Sequence, residues 1–392
     1  MRGAGVAVAA GLTCLTAVAA QSGTGGGRAT RTEITIAASG DLLIHAPVWL
    51  RAASLGHGGF HDFRPMLARI RRLIRSADVS LCHVETPIGA GAPAGYPRFN
   101  APPGLAVAIR WTGWDACSTA SNHTLDRGQY GVAATLATLD RWNVRHTGSA
   151  RSRRERRRIL ILAAGGIRVA VLAYTYGTNG LPLPRPWSVN LIEPARIAAD
   201  ARRARREGAD LVVVNLHWGV EYRHEPSREQ IAVARALVRR DAADVIVGQH
   251  VHVVQPIRRV RGRFVVFGEG NLLSNQTAAC CPAASQDGLI ALIRVRREGD
   301  ERPRVVRVDY VPTWVRHPEF VVEPVGYTLA RLVRTGSGAG GLATELRRSY
   351  WRTVAVAGVG SRTRPLPSPS TFQTSQAAGV WQTASRLLPS GS

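Results

Sequence analysis

The sequence predicts an α/β fold in which strands and helices alternate along most of the chain, and three observations lead to this fold class. Short apolar runs rich in β-branched residues alternate with longer segments whose apolar residues recur at helical spacing. Hydrophobic residues make up 45% of the 392 residues and charged residues 20%, so most of the chain can bury a core. After Phe264 the strand-like runs follow one another without helices between them, which indicates a late antiparallel part.

The predicted strands are apolar runs that end at small or polar turn residues. Gly165-Gly166 separates two of them and predicts a hairpin. The strands are Glu33–Ala38, Val79–Val84, Asp115–Thr119, Ile159–Leu162, Ile167–Ala173, Leu211–Leu216, Val245–Val247, Phe264–Phe267, Leu289–Val295 and Val305–Val311.

The predicted helices carry apolar residues at helical spacing, as Phe63, Met66 and Ile70 illustrate in the first of them. Pro226 stands at the start of the predicted helix Pro226–Arg239, where its missing N–H costs nothing. The helices are Phe60–Ser76, Gly128–Trp142, Pro194–Glu207 and Pro226–Arg239, with shorter ones at Tyr327–Val333 and Leu342–Trp351.

The two ends of the chain differ in composition from the middle. An apolar run from Val6 to Ala19 follows Arg2, which is typical of a secretory signal, with an uncleaved N-terminal anchor as the alternative. We therefore expect an exported protein, either extracytoplasmic or membrane-anchored at the cell envelope. The predicted segments are residues 1–20 as signal peptide or anchor, 21–32 as a Gly/Ser/Thr linker, 33–320 as the folded domain and 321–392 as a variable, partly disordered tail.

The chain is strongly basic, with 51 basic against 27 acidic residues and a formal net charge of +24. All of the basic residues are arginine, which is typical of compositional bias and a solvated surface. The functional alternative is attraction to an anionic polymer or a membrane surface. No run interleaves basic and aromatic residues, so nucleic acid ranks last among the partners.

The cysteines give little sign of a metal site. Cys82 and Cys117 lie in apolar strand-like runs and are expected to behave as small core residues. Cys280 and Cys281 are adjacent, which is a poor zinc pattern and leaves a local disulfide as an alternative.

Polar residues that could bind metal follow the predicted strands, at the place where ligand sites form in open α/β sheets. Taken singly, Asp41 could cap a turn, Asn122-His123 could bond local backbone, and His217 could be a packing histidine. Their occurrence after successive strands favours one shared site. The candidates are Asp41, His45, His83, Glu85, Asn122, His123, His217, His250 and His252.

The sharpest of these signals is His250-Val251-His252. If this segment is extended, both imidazoles point to the same side and could chelate one ion or a pair. A dinuclear site needs carboxylate, amide and imidazole ligands that hold two cations about 3.5–4 Å apart. Mn, Zn or Fe accept this mixture of oxygen and nitrogen ligands. Such a site activates water and offsets the negative charge that develops at a phosphoryl or carbonyl centre.

The same segments resemble the bacterial capsule synthesis family of the CapA type, also called PGA-cap, from about Glu33 to Trp314. The matching segments are Gly40-Asp41; Ala77-Asp78 to Glu85-Thr86-Pro87; Ser121-Asn122-His123 with Asp126; His217-Trp218-Gly219 with Glu221-Tyr222; Gly248-Gln249-His250-Val251-His252; and Phe267-Gly268-Glu269-Gly270-Asn271.

The resemblance implies the calcineurin-like metallophosphatase superfamily and a four-layer αββα sandwich. It also implies that His123 is the acid that protonates a leaving oxygen, with Asp41 beside it in the catalytic site, and that His45 is a further metal ligand. Two departures are His83, where the family usually has Asn, and Val251, where it usually has Pro. The implied metal ligands are Asp41, His45, Glu85, Asn122, His217, His250 and His252.

Two functions of different kinds follow from this reading. The first is a hydrolase or transferase with two divalent ions, acting on poly-γ-glutamate, a related envelope polymer or a phosphoester. Membrane-associated synthesis machinery would then be a further partner. The second is a non-catalytic protein that binds an anionic envelope polymer through its arginine-rich surface during assembly.

Overall fold

The computed structural model describes residue 1 and residues 31–89 and 91–372. The predicted leader and almost all of the predicted linker therefore lie outside the described residues. The strands are β1 Arg31–Leu42, β2 Val79–Val84, β3 Ala116–Ser118, β4 Arg145–Thr147, β5 Leu160–Ala164, β6 Ile167–Thr175, β7 Leu211–His217, β8 Val245–Gln249, β9 Ile257–Val260, β10 Arg263–Val266, β11 Asn271–Leu273, β12 Asp287–Glu298, β13 Arg304–Arg316 and β14 Val321–Pro324. The helices are α1 Ala46–Leu55, α2 Arg64–Leu67, α3 Arg71–Arg75, α4 Gly104–Thr112, α5 Gly128–Arg141, α6 Arg153–Arg156, α7 Pro194–Arg206, α8 Arg228–Arg239, α9 Val325–Arg334 and α10 Gly341–Ala357.

The described strands form two sheets. The larger sheet has the order β14-β13-β12-β1-β2-β3-β4, and β11 pairs with β1 outside this path. The smaller sheet has the order β5-β6-β7-β8-β10-β9. Strands β1, β2, β3 and β4 run parallel, as do β6, β7, β8 and β10, whereas β12, β13 and β14 pair antiparallel. The late antiparallel part predicted from the sequence is confirmed.

Alternation of side chains along the strands builds the layers. Val213 of β7 points into a core between the two sheets, together with Ile36 of β1. The neighbouring Val212 points to the opposite face, where α7 and α8 cover the smaller sheet. Ala37 of β1 likewise faces an outer core built with α1, α2, α3 and α4. This arrangement is the four-layer αββα sandwich that the family resemblance implies.

Some helices differ from their predicted bounds for local reasons. The segment Phe60–Ser76 divides into α2 and α3. Helix α4 was not predicted from the sequence at all. Helix α8 begins two residues after Pro226, because Ser227 and Gln230 form a capping box at its start. The predicted hairpin around Gly165-Gly166 is confirmed as β5 and β6.

The folded domain continues past the predicted boundary at residue 320. Strand β14 pairs with β13 inside the larger sheet, so it belongs to the domain and not to a tail. Leu346 and Tyr350 of α10 are fully buried and pack against the core between the sheets. Residues 361–372 also reach the sheet, where Pro365 bridges to Tyr310. Residues 373–392 of the predicted tail lie outside the described residues.

One pair of cysteines, Cys82 and Cys117, differs from the prediction. Cys82 and Cys117 are buried Cα partners on β2 and β3, and they form a disulfide where the sequence predicted only small core residues. Cys280 and Cys281 are free thiols whose sulfurs lie 2.7 Å apart. In the described part of the chain, no helix combines the length and apolar character needed to cross a membrane.

Candidate metal centre

The candidate ligands meet because the parallel strands of both sheets end at the same edge. Asp41 lies near the end of β1, and Glu85 follows β2 directly. Asn122 comes shortly after β3, while His217 is the last residue of β7. His250 follows β8, so five strands deliver one polar side chain each to a single place.

Asp41 occupies its position because the backbone on either side of it is tightly packed. A side chain at Gly40 would place its Cβ 1.9 Å from the carbonyl oxygen of Gly270, so only glycine fits there. The Asp41 N–H donates to that same carbonyl at 3.0 Å. The backbone N–H of His250 in turn donates to Asp41 Oδ2 at 3.2 Å, which ties the ends of β1 and β8 together.

Short distances join the ligand atoms across the two sheets. His252 Nδ1 lies 3.3 Å from Asp41 Oδ2, and His252 Nε2 lies 3.8 Å from Glu85 Oε1. His217 Nε2 lies 2.8 Å from Asn122 Oδ1 and 3.9 Å from Glu85 Oε1. All five side chains are buried, and Asp41, Glu85 and His217 are completely inaccessible to solvent.

His83 joins the same cluster. Its Nε2 lies 3.7 Å from Asp41 Oδ1, and its ring stacks on His217 with the centroids 4.8 Å apart. The residue therefore lies where an additional ligand would be. Both of its ring nitrogens lack a hydrogen-bond partner among the described residues.

Three groups of side chains place their ligand atoms within 4.8 Å of one another. They overlap, because Asp41 belongs to two of them and His252 belongs to two. Asp41, as the carboxylate common to two of the groups, could take part in holding a cation at either of them. The groups are Asp41, His83 and His217; Asp41, Glu85 and His252; and Glu221, His250 and His252.

Unpartnered polar atoms show that these residues fit a cation. Neither carboxylate oxygen of Glu85 has a hydrogen-bond donor among the described residues, and Nδ1 of His217 and of His250 also lack partners. A buried carboxylate without donors is costly, and a bound cation removes that cost. Burial, followed by the charge of Asp41, raises the pKa of Glu85 well above its usual value.

The histidines differ in protonation according to their neighbours. Burial lowers the pKa of His83 to about 4 and holds the pKa values of His217 and His250 well below the usual value. Neutral imidazole is the form that binds metal. Burial also disfavours the charged form of His252. The negative charges of Glu85 and Asp41 have the larger combined effect, so the pKa of His252 is raised to about 9.

The His250-Val251-His252 segment is not extended, and that expectation was wrong. Strand β8 ends at Gln249, and the two histidines adopt left-handed backbone conformations with φ of 91° and 56°. Val251 between them is fully buried. A turn, and not strand alternation, therefore brings the two rings to 5.9 Å between centroids. Non-glycine residues held in this strained conformation are typical of functional sites.

His123 lies beside the cluster but in none of the three groups. Its Nδ1 lies 2.8 Å from Asp126 Oδ2, which fixes the ring and leaves Nε2 as the other ring nitrogen. Its side chain is 11% exposed, whereas the side chains of His83 and His217 are 0% exposed. His123 is thus more accessible than His83 and His217.

His45 is not brought into any of the three groups either. Its Nδ1 lies 3.1 Å from the Leu43 carbonyl oxygen and 3.2 Å from the Asn275 amide nitrogen. Its ring packs edge-to-face on Phe99, which in the same way contacts His123 on its other side. These contacts hold His45 next to the centre but outside the three groups of ligand atoms.

Several residues of the centre were not among the predicted ligands. Glu221 and Tyr176 are exposed at its mouth, and Tyr176 packs against His250 with the ring centroids 4.5 Å apart. Asn271 Oδ1 lies 3.1 Å from His252 Nδ1. Asn179 accepts a hydrogen bond from Asn122 at 3.1 Å. Asn179 and Tyr176 lie on a loop whose sequence carries no metal-binding pattern.

The fold and the centre together define a class of protein, a two-sheet αββα sandwich with a buried acid–histidine centre at its strand ends. Within this class, the chain belongs to the family described as bacterial capsule synthesis protein PGA_cap, whose model matches residues 35–276.

Curated relatives agree with this family. The chain is 31% identical over 175 residues to "Capsule biosynthesis protein CapA" of Bacillus anthracis, covering 43% of this chain and 42% of that protein. It is 29% identical over 196 residues to "PGA biosynthesis protein CapA" of Bacillus subtilis, covering 49% of this chain and 50% of that protein. The chain spans about half the length of the curated relatives it matches, or somewhat less.

Among solved structures, the chain is similar to the calcineurin-like phosphoesterase YfkN from Bacillus subtilis. The TM-score is 0.46 and the identity 14%, over 81% of this chain and 100% of that one. A 5'-nucleotidase precursor from Thermus thermophilus is similar with a TM-score of 0.46 and 16% identity, over 78% of this chain and 59% of that one.

Proposed function

We propose that this protein is an exported, metal-dependent hydrolase or transferase that acts on poly-γ-glutamate or a related anionic polymer of the cell envelope. One observation carries the catalytic part of the proposal. Buried carboxylates and imidazoles, most of them neutral, converge at the strand ends, and several of their polar atoms have no partner among the described residues. The polymer is suggested by the names of the relatives, which include capsule and PGA biosynthesis proteins.

The residues would divide into two ion positions that share Asp41. One position would use His83 and His217 with Asn122, and the other would use Glu85 and His252. When bound, two divalent ions of Mn, Zn or Fe supply Lewis acidity and an activated water. His250 lies close enough to complete the second position with Glu221.

His123 would hold the proton that the leaving group receives. Asp126 orients the ring through Nδ1, so Nε2 is the atom from which the proton would leave. Phe99 packs against the ring with the centroids 4.7 Å apart and limits its rotation. Since His123 is more accessible than the buried histidines, a substrate can approach it without displacing them.

The first experiment measures metal content and turnover on the same preparations. We expect about two transition-metal ions per chain by elemental analysis. His250→Ala with His252→Ala should lose them. Hydrolysis of bis-p-nitrophenyl phosphate and cleavage of poly-γ-glutamate are then assayed with the wild type and with His123→Asn. We expect His123→Asn to keep its metal and to lose turnover by about 10²–10⁴-fold.

The comparison of His123→Asn with the wild type also separates the proposal from its alternative, a non-catalytic polymer-binding protein. The strongly basic composition favours that alternative, because the net charge is +24. A chain that binds no stoichiometric metal after reconstitution with Mn or Zn would overturn the catalytic proposal. Bound metal without turnover on either substrate class would leave the binding protein as the better description.

A further inference from the structure

The opposite ends of the same strands form a groove rich in arginine. A cavity of about 740 Å³ lies between the β9–β10 hairpin, the strands β12 and β13, and the segment that follows α10. Among its lining residues, eight arginines face two acidic residues, Glu33 and Asp244. We call this surface the arginine groove, and its most informative members are Arg259, Arg294, Arg296, Arg304, Arg307 and Arg362.

The arginine groove is separate from the metal centre. Asp244 lines the groove directly before β8, and His250 lies in the metal centre directly after it. The six residue steps from Asp244 to His250 span about 20 Å at the usual rise of a β-strand. Glu33 and Asp41 mark the two ends of β1 in the same way. A ligand in the groove therefore touches none of the metal ligands.

Carboxylates beside the groove arginines hold some of these arginines in place. Arg294 and Arg296 both reach Glu33, at 3.3 and 3.2 Å. Arg307 lies 2.6 Å from Asp309, which is 1% exposed. Each carboxylate is shared, since Asp309 also lies within 4.0 Å of a second guanidinium. The acids orient the arginines without neutralising all of them.

Other arginines of the groove have no buried acidic partner. Arg259 donates only to the carbonyl oxygen of Gly262 and lies over the ring of Phe264 at 5.5 Å. The guanidinium of Arg362 forms no ion pair with the described residues. Arg304 is 57% exposed and pairs only with the partly exposed Glu298. These side chains present positive charge to solvent, and their planar guanidinium groups suit bidentate binding of carboxylate or phosphate.

The ligand that fits best is a linear polymer of carboxylates. A single small anion cannot engage arginines spread over a cavity of about 740 Å³, whereas a chain with repeated charges can. The acids that already pair with these arginines are carboxylates. Nucleic acid is disfavoured because Phe264, the aromatic residue in the lining, is 3% exposed and offers no ring face for base stacking.

We infer that the arginine groove binds a linear polycarboxylate independently of the metal centre. The choice of a glutamate polymer as the ligand rests on the proposed function, whereas the existence of the site does not. A polymer bound there would extend over the surface of the molecule, so the groove would hold the chain while a distant part of it reaches the metal centre.

The test uses fluorescent poly-γ-glutamate and the full chain. The groove variant carries Arg259→Gln, Arg304→Gln and Arg362→Gln, which leaves the partners of the buried acids in place. The control variant carries Arg141→Gln, Arg235→Gln and Arg331→Gln, three exposed helical arginines outside the groove. Both variants lose the same charge. We expect the groove variant to bind the polymer about tenfold more weakly and the control to change less than about twofold.

Two further arms keep the inference separate from the proposed function. The double variant His250→Ala with His252→Ala should bind the polymer as the wild type does, and the groove variant should keep its metal content. An oligonucleotide of matched charge should bind more weakly than the polymer and should not distinguish the groove variant from its control. Equal losses in the groove and control variants would overturn the inference, as would a loss confined to the oligonucleotide.

Discussion

The two ends of the central strands differ in whether their buried acids have a positively charged partner. At the end that carries the metal centre, Glu85 is completely buried and neither of its oxygens has a donor among the described residues. At the end that carries the arginine groove, Asp309 is almost as deeply buried, but Arg307 lies 2.6 Å away. The acids of the groove pair with arginines of the same chain. The acids of the metal centre have too few positively charged groups beside them.

This difference indicates what each end requires from outside. The metal centre has buried carboxylates beside mostly neutral imidazoles, so it lacks positive charge that a cation would provide. The groove has more arginines than acids, so it lacks negative charge that a polyanion would provide. We therefore infer candidate sites for ligands of opposite charge at the two ends of the same strands. The predictions below test this contrast.

The largest expected effect is the loss of stability when metal is removed. We expect chelation to lower the free energy of unfolding by about 4 kcal/mol relative to protein in metal at 1,000 times its Kd, because the ion binds only the folded centre. Thermal or urea denaturation with and without EDTA measures this difference. The groove variant described above should show the same difference, since its substitutions lie at the other end of the strands.

In the double variant His250→Ala with His252→Ala, the free energy of unfolding should no longer depend on metal. An unfolding curve of the wild type that does not respond to EDTA or to added Mn or Zn would contradict the assignment of this end as a cation site. A groove variant that lost its response to metal would contradict the separation of the two ends.

The layered fold could be predicted well from the sequence because each strand carries its own signal. The apolar run of β7 and the Gly165-Gly166 hairpin both have the predicted form. The last two helices were also predicted, at Tyr327–Val333 and Leu342–Trp351, and they correspond to α9 and α10. Their membership in the folded domain was not predicted, because it depends on distant contacts such as those of Tyr350 with the core. Strand β14 was missed because its four residues carry little signal of their own.

The candidate centre was predictable to the extent that its residues follow strands. Asp41, Glu85 and His217 each stand at a strand end, so topology alone brings them together. The geometry of His250 and His252 was not predictable, because a turn with positive φ replaces the expected extended segment. The position of His45 outside the three groups depends on the loop at Asn275, which is 230 residues away in sequence. Such long-range contacts leave no local pattern.

A medium effect is expected from removing a buried acid of the groove. Asp309→Asn keeps the shape of the side chain but leaves Arg307 without its counter-charge at 2.6 Å. We expect a loss of about 2 kcal/mol in the free energy of unfolding, since the guanidinium is partly exposed and solvent offsets some of the cost. Glu298→Gln is the matched control, because Glu298 is 41% exposed and pairs with Arg304 at the surface.

The control should lose less than about 0.5 kcal/mol, as is usual for exposed pairs. Urea denaturation at low ionic strength measures both variants. Equal losses in Asp309→Asn and Glu298→Gln would mean that the buried acid does not organise the groove, and the contrast between the two ends would fail on the groove side.

The smallest expected effect is a gain in stability in the groove variant at low salt. Replacing Arg259, Arg304 and Arg362 by Gln removes positive charges that face one another across the groove, so the folded state loses repulsion. We expect a gain of about 0.5 kcal/mol in the free energy of unfolding at low salt. The gain should vanish at 1 M salt, where the Debye length falls to about 3 Å.

The control variant at Arg141, Arg235 and Arg331 should show no comparable gain, because its charges lie on separate helices. If the two variants respond alike, the arginines of the groove do not repel one another more than ordinary surface arginines do. The groove without a ligand would then have no extra repulsion between its arginines that a bound polyanion could reduce.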